Sequence, residues 1–575
     1  MGSSNDIAVS EPAMEGGGST GKLDVSEKTS SSSSITEEQP HNDGDARSIA
    51  ESIGNQRRLL SKSRLLVAFP ALALCLFVSF IDQTSVSTSI PAVSADLNTG
   101  TATSWIGASF LISSVSFQLI NGRLSDIFGR KNLLLACLLI LALGDLLAGF
   151  AKTSTQLFAF RALAGIGGGG INSIVMIIVS DITTLQNRGK YQGILGAVLA
   201  LANGTGPFVG GALVEKASWR YVFWIVPMLA LPAALVILFF LPLRHDKGDY
   251  VAKFKKIDYG GIVINLAAVL LILIPLTGGG VTYSWASAEF IVMVVLGGVL
   301  AIAFVLYEWK FAPIPIMPLR LYQAPHCTFL YAQSFFSGLN FYGNFFYLIC
   351  TSITSILSGQ FMNRICLYMP SVAVGFGLWT LGAGLRCMFK QNTSLGVIIV
   401  TLLIEGCGVG LTLQPTLVGL YANSKTGDRA VVTGLRNFIR TMGGAFGLVA
   451  SGAILSNNLQ AKLSTVPTVT VAAIEDMSSR IAQRGTLASR DDEDSVISAY
   501  MTGIHWIFIF YACSAGVNFL LSVGIGNTSL KKKEEPAAAS RVAREEEDAN
   551  GVVISGEEPE ETFTSAGPAR KTEEV

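Results

Sequence analysis

Charge is what this 575-residue chain has little of: Asp, Glu, Lys and Arg make up 14% of it, and the formal net charge is zero. An ordinary soluble domain carries roughly 25% charged residues, so the deficit argues against a water-facing surface. The lack of a basic excess leaves no field to attract nucleic acid. Histidine is scarce, and the four residues present (His41, His245, His326 and His505) are too scattered for a metal centre. The eight cysteines form no CxxC pair and fall in or beside apolar stretches. They read as small apolar residues, not as metal ligands or a disulfide framework. There is no GxxxxGK(S/T) phosphate loop; the long glycine run Gly167 to Gly170 sits inside an apolar segment. No catalytic constellation is visible, so the sequence does not read as an enzyme, and no cofactor is called for.

What the chain has instead is apolar length. Half of its residues are apolar, and the mean hydropathy is +0.50. The apolar residues gather into runs of about 20, the length that spans a ~30 Å hydrocarbon core. Residues 1–63 are polar and Ser/Gly-rich, and residues 529–575 are rich in Glu, Lys and Ala, so both tails are expected to stay disordered. The first apolar run begins at Leu65, and that span is expected to act as its own insertion signal.

Spans read at about 66–92, 104–121, 132–151, 155–180, 190–214, 221–243, 259–277, 288–307, 327–348, 368–388, 395–419, 430–455 and 500–525. The basic residues Arg57, Arg58, Lys62 and Arg64 place the N-terminal tail in the cytoplasm. Arg123, Arg130, Lys131, Arg188, Lys190, Arg244, Lys253, Lys310 and Arg320 then collect on the same side. After the ninth span the alternation fails: Arg364, Lys425 with Arg429, and Lys531 to Lys533 all ask to be cytoplasmic. That needs one more crossing between Leu348 and Arg364, where only about 14 residues are free against the ~20 of a full span. Fourteen spans are therefore expected, about thirteen of them complete.

Two loops and helices carry the most distinctive patterns. Gly122-Arg123-Leu124-Ser125-Asp126-Ile127-Phe128-Gly129-Arg130-Lys131 joins the second and third spans. Its glycines permit a tight turn, Asp126 can accept from backbone donors at a helix N-terminus, and the cations hold the loop inside. In the fifth span, Gly204-Thr205-Gly206-Pro207-Phe208-Val209-Gly210-Gly211 pairs a small-xxx-small face with a bend. Alone it reads equally well as packing glue. The loop resembles the signature loop of the major facilitator superfamily, and the glycine–proline stretch resembles the antiporter signature of its exporters. Phe80-Ile81-Asp82-Gln83-Thr84, Arg161 to Gly167, Trp219-Arg220-Tyr221-Val222-Phe223, and Arg429 to Phe438 with Gly443-Gly444 are similar to motifs of its fourteen-span drug:proton antiporter branch, fungal members included. The resemblance covers about residues 65–525.

That resemblance implies an all-α polytopic fold: a six-helix bundle over 64–245, a linker with two extra helices over 246–312, and a second bundle over 313–528 with a shortened tenth span. It implies proton-coupled efflux of small amphipathic compounds, drugs or secreted metabolites, driven by the proton gradient alone. The expected partners are a small-molecule substrate and the lipid bilayer, with no nucleic acid, and the chain is expected to act as a monomer. The plasma membrane is the expected address, with a vacuolar membrane as the alternative and both tails cytoplasmic. Uptake of a nutrient or an iron chelate, and a non-transporting member of the family, remain as rival readings.

Ionised groups inside the bilayer cost at least ~2.5–3.5 kcal/mol each, so each one wants a partner or a task. At about 1.5 Å of rise per residue, Asp82 and Arg161 reach the same level, and so do Glu405 and Arg440, with Arg436 a turn away. Each set reads either as a charge pair coupled to protonation or as a static bridge. The resemblance assigns the Arg161 position to proton transfer. Asp145 in the third span is a second candidate for such a role, and the alternative is that it faces solvent or neighbouring helices. Gln333, Ser337, Asn340 and Asn344 share one helical face among aromatics, which reads as a substrate face or as interhelical glue. Asn392-Thr393-Ser394 is a glycosylation sequon in a predicted outer loop close to the membrane. Glycosidase treatment is expected to leave the gel mobility of the expressed protein unchanged; a downward shift that Asn392→Gln abolishes would show that Asn392 is modified.

Overall fold

Backbone groups in hydrocarbon find no water, so a spanning segment must close its hydrogen bonds within itself, and helices do so. The structure, a computed structural model, describes residues 62–183, 185–241, 257–279, 282–312, 315–341, 348–463, 490–526 and 530. Most of both tails, with their expected disorder, lies outside the described residues.

Among the described residues there are fourteen α-helices and no β-strand. The first six are α1 (Lys62–Leu97), α2 (Trp105–Phe128), α3 (Arg130–Gly149), α4 (Ser154–Ile182), α5 (Leu185–Lys216) and α6 (Arg220–Phe240). A hairpin of α7 (Tyr259–Gly278) and α8 (Ala288–Lys310) follows. The last six are α9 (Pro325–Phe341), α10 (Leu348–Ile365), α11 (Met369–Arg386), α12 (Leu395–Asn423), α13 (Arg429–Leu463) and α14 (Arg490–Ser522). Eleven are long and apolar enough to cross a membrane; α9, α10 and α11 are the exceptions. Local caps set several starts: Thr153 accepts from the Gln156 N–H ahead of α4, Asp258 from Gly261 ahead of α7, and Ser287 from Phe290 ahead of α8.

In the stretch where the charge pattern asks for a further crossing lies α10, an 18-residue helix. The expected end of the ninth span, near residue 348, falls beyond Phe341 on residues outside the described ones. The length of α10 is about 27 Å at 1.5 Å per residue, just under the ~30 Å core. The segment is helical, and it is shorter than a full span.

The helices pair by the same rule in both halves. In the first, α1 packs on α5 and α6, α2 on α4, and α3 on α4 and α6. In the second, α9 packs on α13 and α14, α10 on α12, and α11 on α12 and α14. This is the pattern of two parallel repeats, each a six-helix bundle. The bundles meet along α5 with α10 and along α2 with α13, while α7 leans on both α2 and α13. Side-chain distribution is inverted relative to a soluble protein. Phe208, Phe239 and Trp309 are exposed, whereas Asp82, Arg161 and Glu405 are buried, because here the outside solvent is lipid.

The α5–α10 seam depends on glycine. A Cβ on Gly359 would run into the backbone of Gly189 and Lys190, and one on Gly193 into the Ser355 carbonyl. The close approach lets the Ser355 hydroxyl donate to the Gly193 carbonyl at 3.1 Å and Ser352 to Ala197 at 3.3 Å. Gly384, near the end of α11, has open space around its Cβ position. Gly359→Leu is therefore expected to lower the thermal midpoint in detergent, with overpacking worth about 1–3 kcal/mol. Gly384→Leu is expected to leave the midpoint within a degree or two, as read by fluorescence-monitored melting.

Candidate functional site

A cavity of about 440 Å³ lies between the bundles. Its wall is drawn from α1 (Phe80, Gln83, Thr84), α2 (Phe110, Leu111), α4 (Arg161), α5 (Asn203), the end of α7, α9 (Phe341) and the second half of α13 (Ala445 to Ala453). These residues occupy the half of the molecule away from the Gly122–Lys131 loop. Toward the loop end, the bundles touch. Thr441 donates to Gln118 Oε1 at 3.1 Å, Asn437 donates to Ser173 at 3.3 Å, and Arg429 donates to the Ser180 carbonyl at 3.3 Å. A Cβ on Gly122 would press on the Ala430 carbonyl at 3.0 Å. One end is open and the other is shut, as one state of an alternating-access device requires.

Arg161 stands at the cavity wall, 1% exposed, and holds two acids at once. Its Nη1 donates to Asp82 Oδ1 at 2.7 Å and to Asp145 Oδ1 at 2.8 Å. The guanidinium also stacks 4.5 Å from the Phe110 ring centre and 5.6 Å from that of Phe223. Asp82 Oδ2, Asp145 Oδ2 and Arg161 Nε have no hydrogen-bond partner. The equal depth of Asp82 and Arg161 expected from helix rise is realised as direct contact. Of the alternatives open to Asp145, it does not face solvent: it is fully buried and meets the neighbouring helix α4 at Arg161, where it joins the charge cluster. The sequence held a usable sign. Asp145 and Arg161 lie eight residues to either side of Thr153, which caps α4. In an antiparallel hairpin such residues are level, and Gly144 lets α3 close on Ala164 of α4.

In the second half the expected Glu405–Arg440 pair does not form. Glu405 accepts from Arg386 Nη2 at 2.5 Å, across the α11–α12 hairpin, with Arg386 also 5.4 Å from the Phe508 ring. Gly382 sits against the Glu405 backbone and brings the two helices together. Arg440 faces α9, 5.7 Å from the ring centre of Phe341. Azimuth helps decide each partner, and rise per residue carries none of it. The hairpins α3–α4 and α11–α12 occupy equivalent places in the two repeats, so they carry the same pair with reversed sign: Asp145 with Arg161, Arg386 with Glu405.

At the loop end, Arg130 donates from Nη2 to Asp126 and from Nε to Asp181, both at 2.9 Å. Gly129 separates α2 from α3 with φ 90°, a conformation that favours glycine. Lys131 reaches the Leu238 and Leu241 carbonyls at the end of α6, and Arg123 donates to the Pro315 carbonyl at 2.8 Å. Asp181 also lies 3.8 Å from Arg429 across the bundle interface. The sequence reading passed over Asp181, although it closes α4 at the level of the loop.

In α5, Gly206 and Gly210 face α1, where Cβ atoms would collide with Thr84, Ser85 and Thr88. Gly211 faces open space, Gly204 is half-buried, and Pro207 lies inside the helix. The small face thus seats α5 on the turn of α1 that follows Asp82.

The polar face of α9 points away from the cavity. Gln333 donates to the Asn518 carbonyl at 3.0 Å and Asn340 to Ser514 at 3.1 Å, both on α14, and Ser337 is buried beside them. This set joins two helices, which corrects its reading as a substrate face; Asn344 lies outside the described residues. A buried amide satisfies its bonds wherever a partner is nearest, and periodicity cannot say whether that is a neighbour or a ligand. Asn392 is exposed three residues before α12.

The family model described as Major Facilitator Superfamily matches residues 72–448. Citrate exporter 1 of Yarrowia lipolytica is 38% identical over 518 residues, covering 86% of this chain and 77% of that protein. Efflux pump dotC of Dothistroma septosporum is 31% identical, covering 82% and 86%. MFS-type transporter clz4 of Cochliobolus lunatus is 29% identical, covering 83% and 88%. Among solved structures, the proton:xylose symporter XylE superposes with a TM-score of 0.53 at 10% identity, over 82% of this chain and 98% of that one, a likeness of fold. The chain, a multi-pass membrane transport protein and not an enzyme, belongs to the major facilitator superfamily.

Proposed function

We propose that the protein exports small molecules, secreted metabolites or toxic amphipathic compounds, from the cytoplasm in exchange for protons. The carrying observation is the Arg161 cluster: two carboxylates share one guanidinium, buried, beside the cavity. With both acids ionised the cluster bears a net negative charge in a low-dielectric site, which is costly. One proton bound to Asp82 or Asp145 restores neutrality and frees part of Arg161's grip. Gln83 and Arg161 both line the cavity, which gives that proton an approach to the cluster.

By the positive-inside assignment the open end faces outward and the Gly122–Lys131 loop faces the cytoplasm. In the proposed cycle, a proton entering from outside loosens α1 and α3 from α4. The bundles then rock, and the contacts of Gln118 with Thr441 and Ser173 with Asn437 part at the loop end. Substrate enters from the cytoplasm, the proton leaves there, and re-formation of the charge cluster returns the protein to the outward state. The proton gradient supplies the drive: about 2.3 kcal/mol per charge per 100 mV, plus about 1.4 kcal/mol per unit of pH difference. Support for export over uptake comes from the Gly206–Pro207–Gly210 face seated beside Asp82, and from relatives whose names are those of exporters and efflux pumps. The plasma membrane is the proposed site, with both tails cytoplasmic.

Asp82→Asn and Asp145→Asn are expected to leave surface expression within about twofold while cutting proton-driven efflux at least tenfold. Loss of expression in both would point to a static lock between helices. Efflux by the unaltered protein is expected to rise as external pH is lowered from 7.5 to 5.5 and to collapse with a protonophore; pH-independent efflux in preloaded cells would sink proton coupling.

A further inference from the structure

The two halves of the protein are unequal in charge where they face each other. The first half holds two acids on one buried arginine. The second half carries two buried arginines, Arg436 and Arg440, one turn apart on α13. Around Arg436 the partners are neutral: Nη2 donates to the Leu413 carbonyl and to Thr416 Oγ1, Nη1 lies 3.5 Å from Asn437 Oδ1, and Nε has no partner. No carboxylate among the described residues lies within ion-pair distance of Arg436. By contrast Arg130, Arg161 and Arg386 each hold an acid. A guanidinium buried without a counter-charge is costly, and a transporter can recover that cost if its cargo brings the missing charge.

We infer that Arg436 and Arg440 form an anion subsite, and that the exported substrate is a small di- or tricarboxylate. Their spacing fits this class. Four residues of helix rise place the two side-chain roots about 6 Å apart, close to the separation of two carboxylates joined by a short carbon chain. Planar guanidinium groups suit carboxylates geometrically. On the adjacent face of α13, Asn437 and Thr441 are engaged across the interface with Ser173 and Gln118. When the loop end opens, those two contacts part, and an amide and a hydroxyl donor join the two arginines in a cleft reached from the cytoplasm. In the outward state the same residues are shut: the Leu413 carbonyl and Thr416 occupy Arg436, and Asn437 and Thr441 are taken by the other bundle. The site is built to accept an anion on the cytoplasmic side and to fill its own donors on the other, which drives release toward the cavity. Voltage helps, since an inside-negative potential pushes an anion outward by about 2.3 kcal/mol per charge per 100 mV.

This inference rests on the export reading above, and the test separates the two. Full-length protein in liposomes is given radiolabelled citrate and, separately, ethidium, each under an imposed acid gradient. The expected result is citrate transport by the unaltered protein, a KM for citrate raised at least tenfold in Arg436→Gln with kcat within about threefold, and partial recovery in Arg436→Lys. Transport of ethidium but not citrate would overturn the anion subsite and leave proton-driven export standing; transport of neither would remove both. Citrate transport with an unchanged KM in Arg436→Gln would also overturn the subsite. Should that variant not fold, competition on the unaltered protein decides. Succinate is expected to inhibit citrate transport at a concentration at least tenfold below acetate, because only the dicarboxylate spans both arginines. Equal potency of the two overturns the assignment.

Discussion

An ionised side chain cannot be left facing hydrocarbon, and that constraint organises this molecule. It sets where the acids and arginines go: Asp82, Asp145 and Arg161 into one bundle, Arg386 and Glu405 into the other, each far from lipid and in contact with its opposite. Once those contacts are required, the helices carrying them must come close, and small residues let them. Gly144 closes α3 on α4 beside the first cluster, and Gly382 closes α11 on α12 beside the second. Charge burial and close helix approach are one design, because an ion pair in low dielectric holds only at hydrogen-bond distance.

Function follows from where that design is left incomplete. In the loop-end cluster the acids do not outnumber the cations: Asp126 faces both Arg130 and Arg123, Asp181 faces both Arg130 and Arg429, and Lys131 is held by carbonyls at the end of α6. At the cavity wall the count is uneven, with two acids to one arginine; on α13, no carboxylate among the described residues lies within ion-pair distance of Arg436. A purely structural bundle would gain by removing such imbalances, since apolar residues of similar volume pack at no electrostatic cost. Their placement at or beside the bundle interface is what supports a proton and an anion as the proposed occupants.

The parallel repeat sharpens the contrast. The two halves share one pairing rule for their helices, yet the same hairpin carries acid-then-base in one and base-then-acid in the other. The scaffold is symmetric while the electrostatics are not. The N-terminal pair opens on the cavity and has a third member, Asp82. The C-terminal pair is packed against Phe508 of α14, and the polar face of α9 likewise turns to α14. The proposed transport chemistry lies on the faces of α1, α4 and α13, while the polar contacts between α9 and α14 hold the second bundle together.

Hydropathy and charge placement, read along the chain, determined that it crosses the membrane many times, roughly where each crossing lies, and which loops share a side. These are one-dimensional properties: an apolar run has a length, and a cation has a side. Depth was equally readable, so Asp82 and Arg161 could be put at one level. Rotation about each helix axis was not readable, and only tertiary packing decided it. It gave Glu405 to Arg386 instead of Arg440, drew Asp145 into the Arg161 cluster, and turned Gln333 and Asn340 toward α14. The reason is that rise per residue is the same for every helix, while azimuth is set by which neighbours pack closest, and that information is distributed over residues hundreds of positions apart.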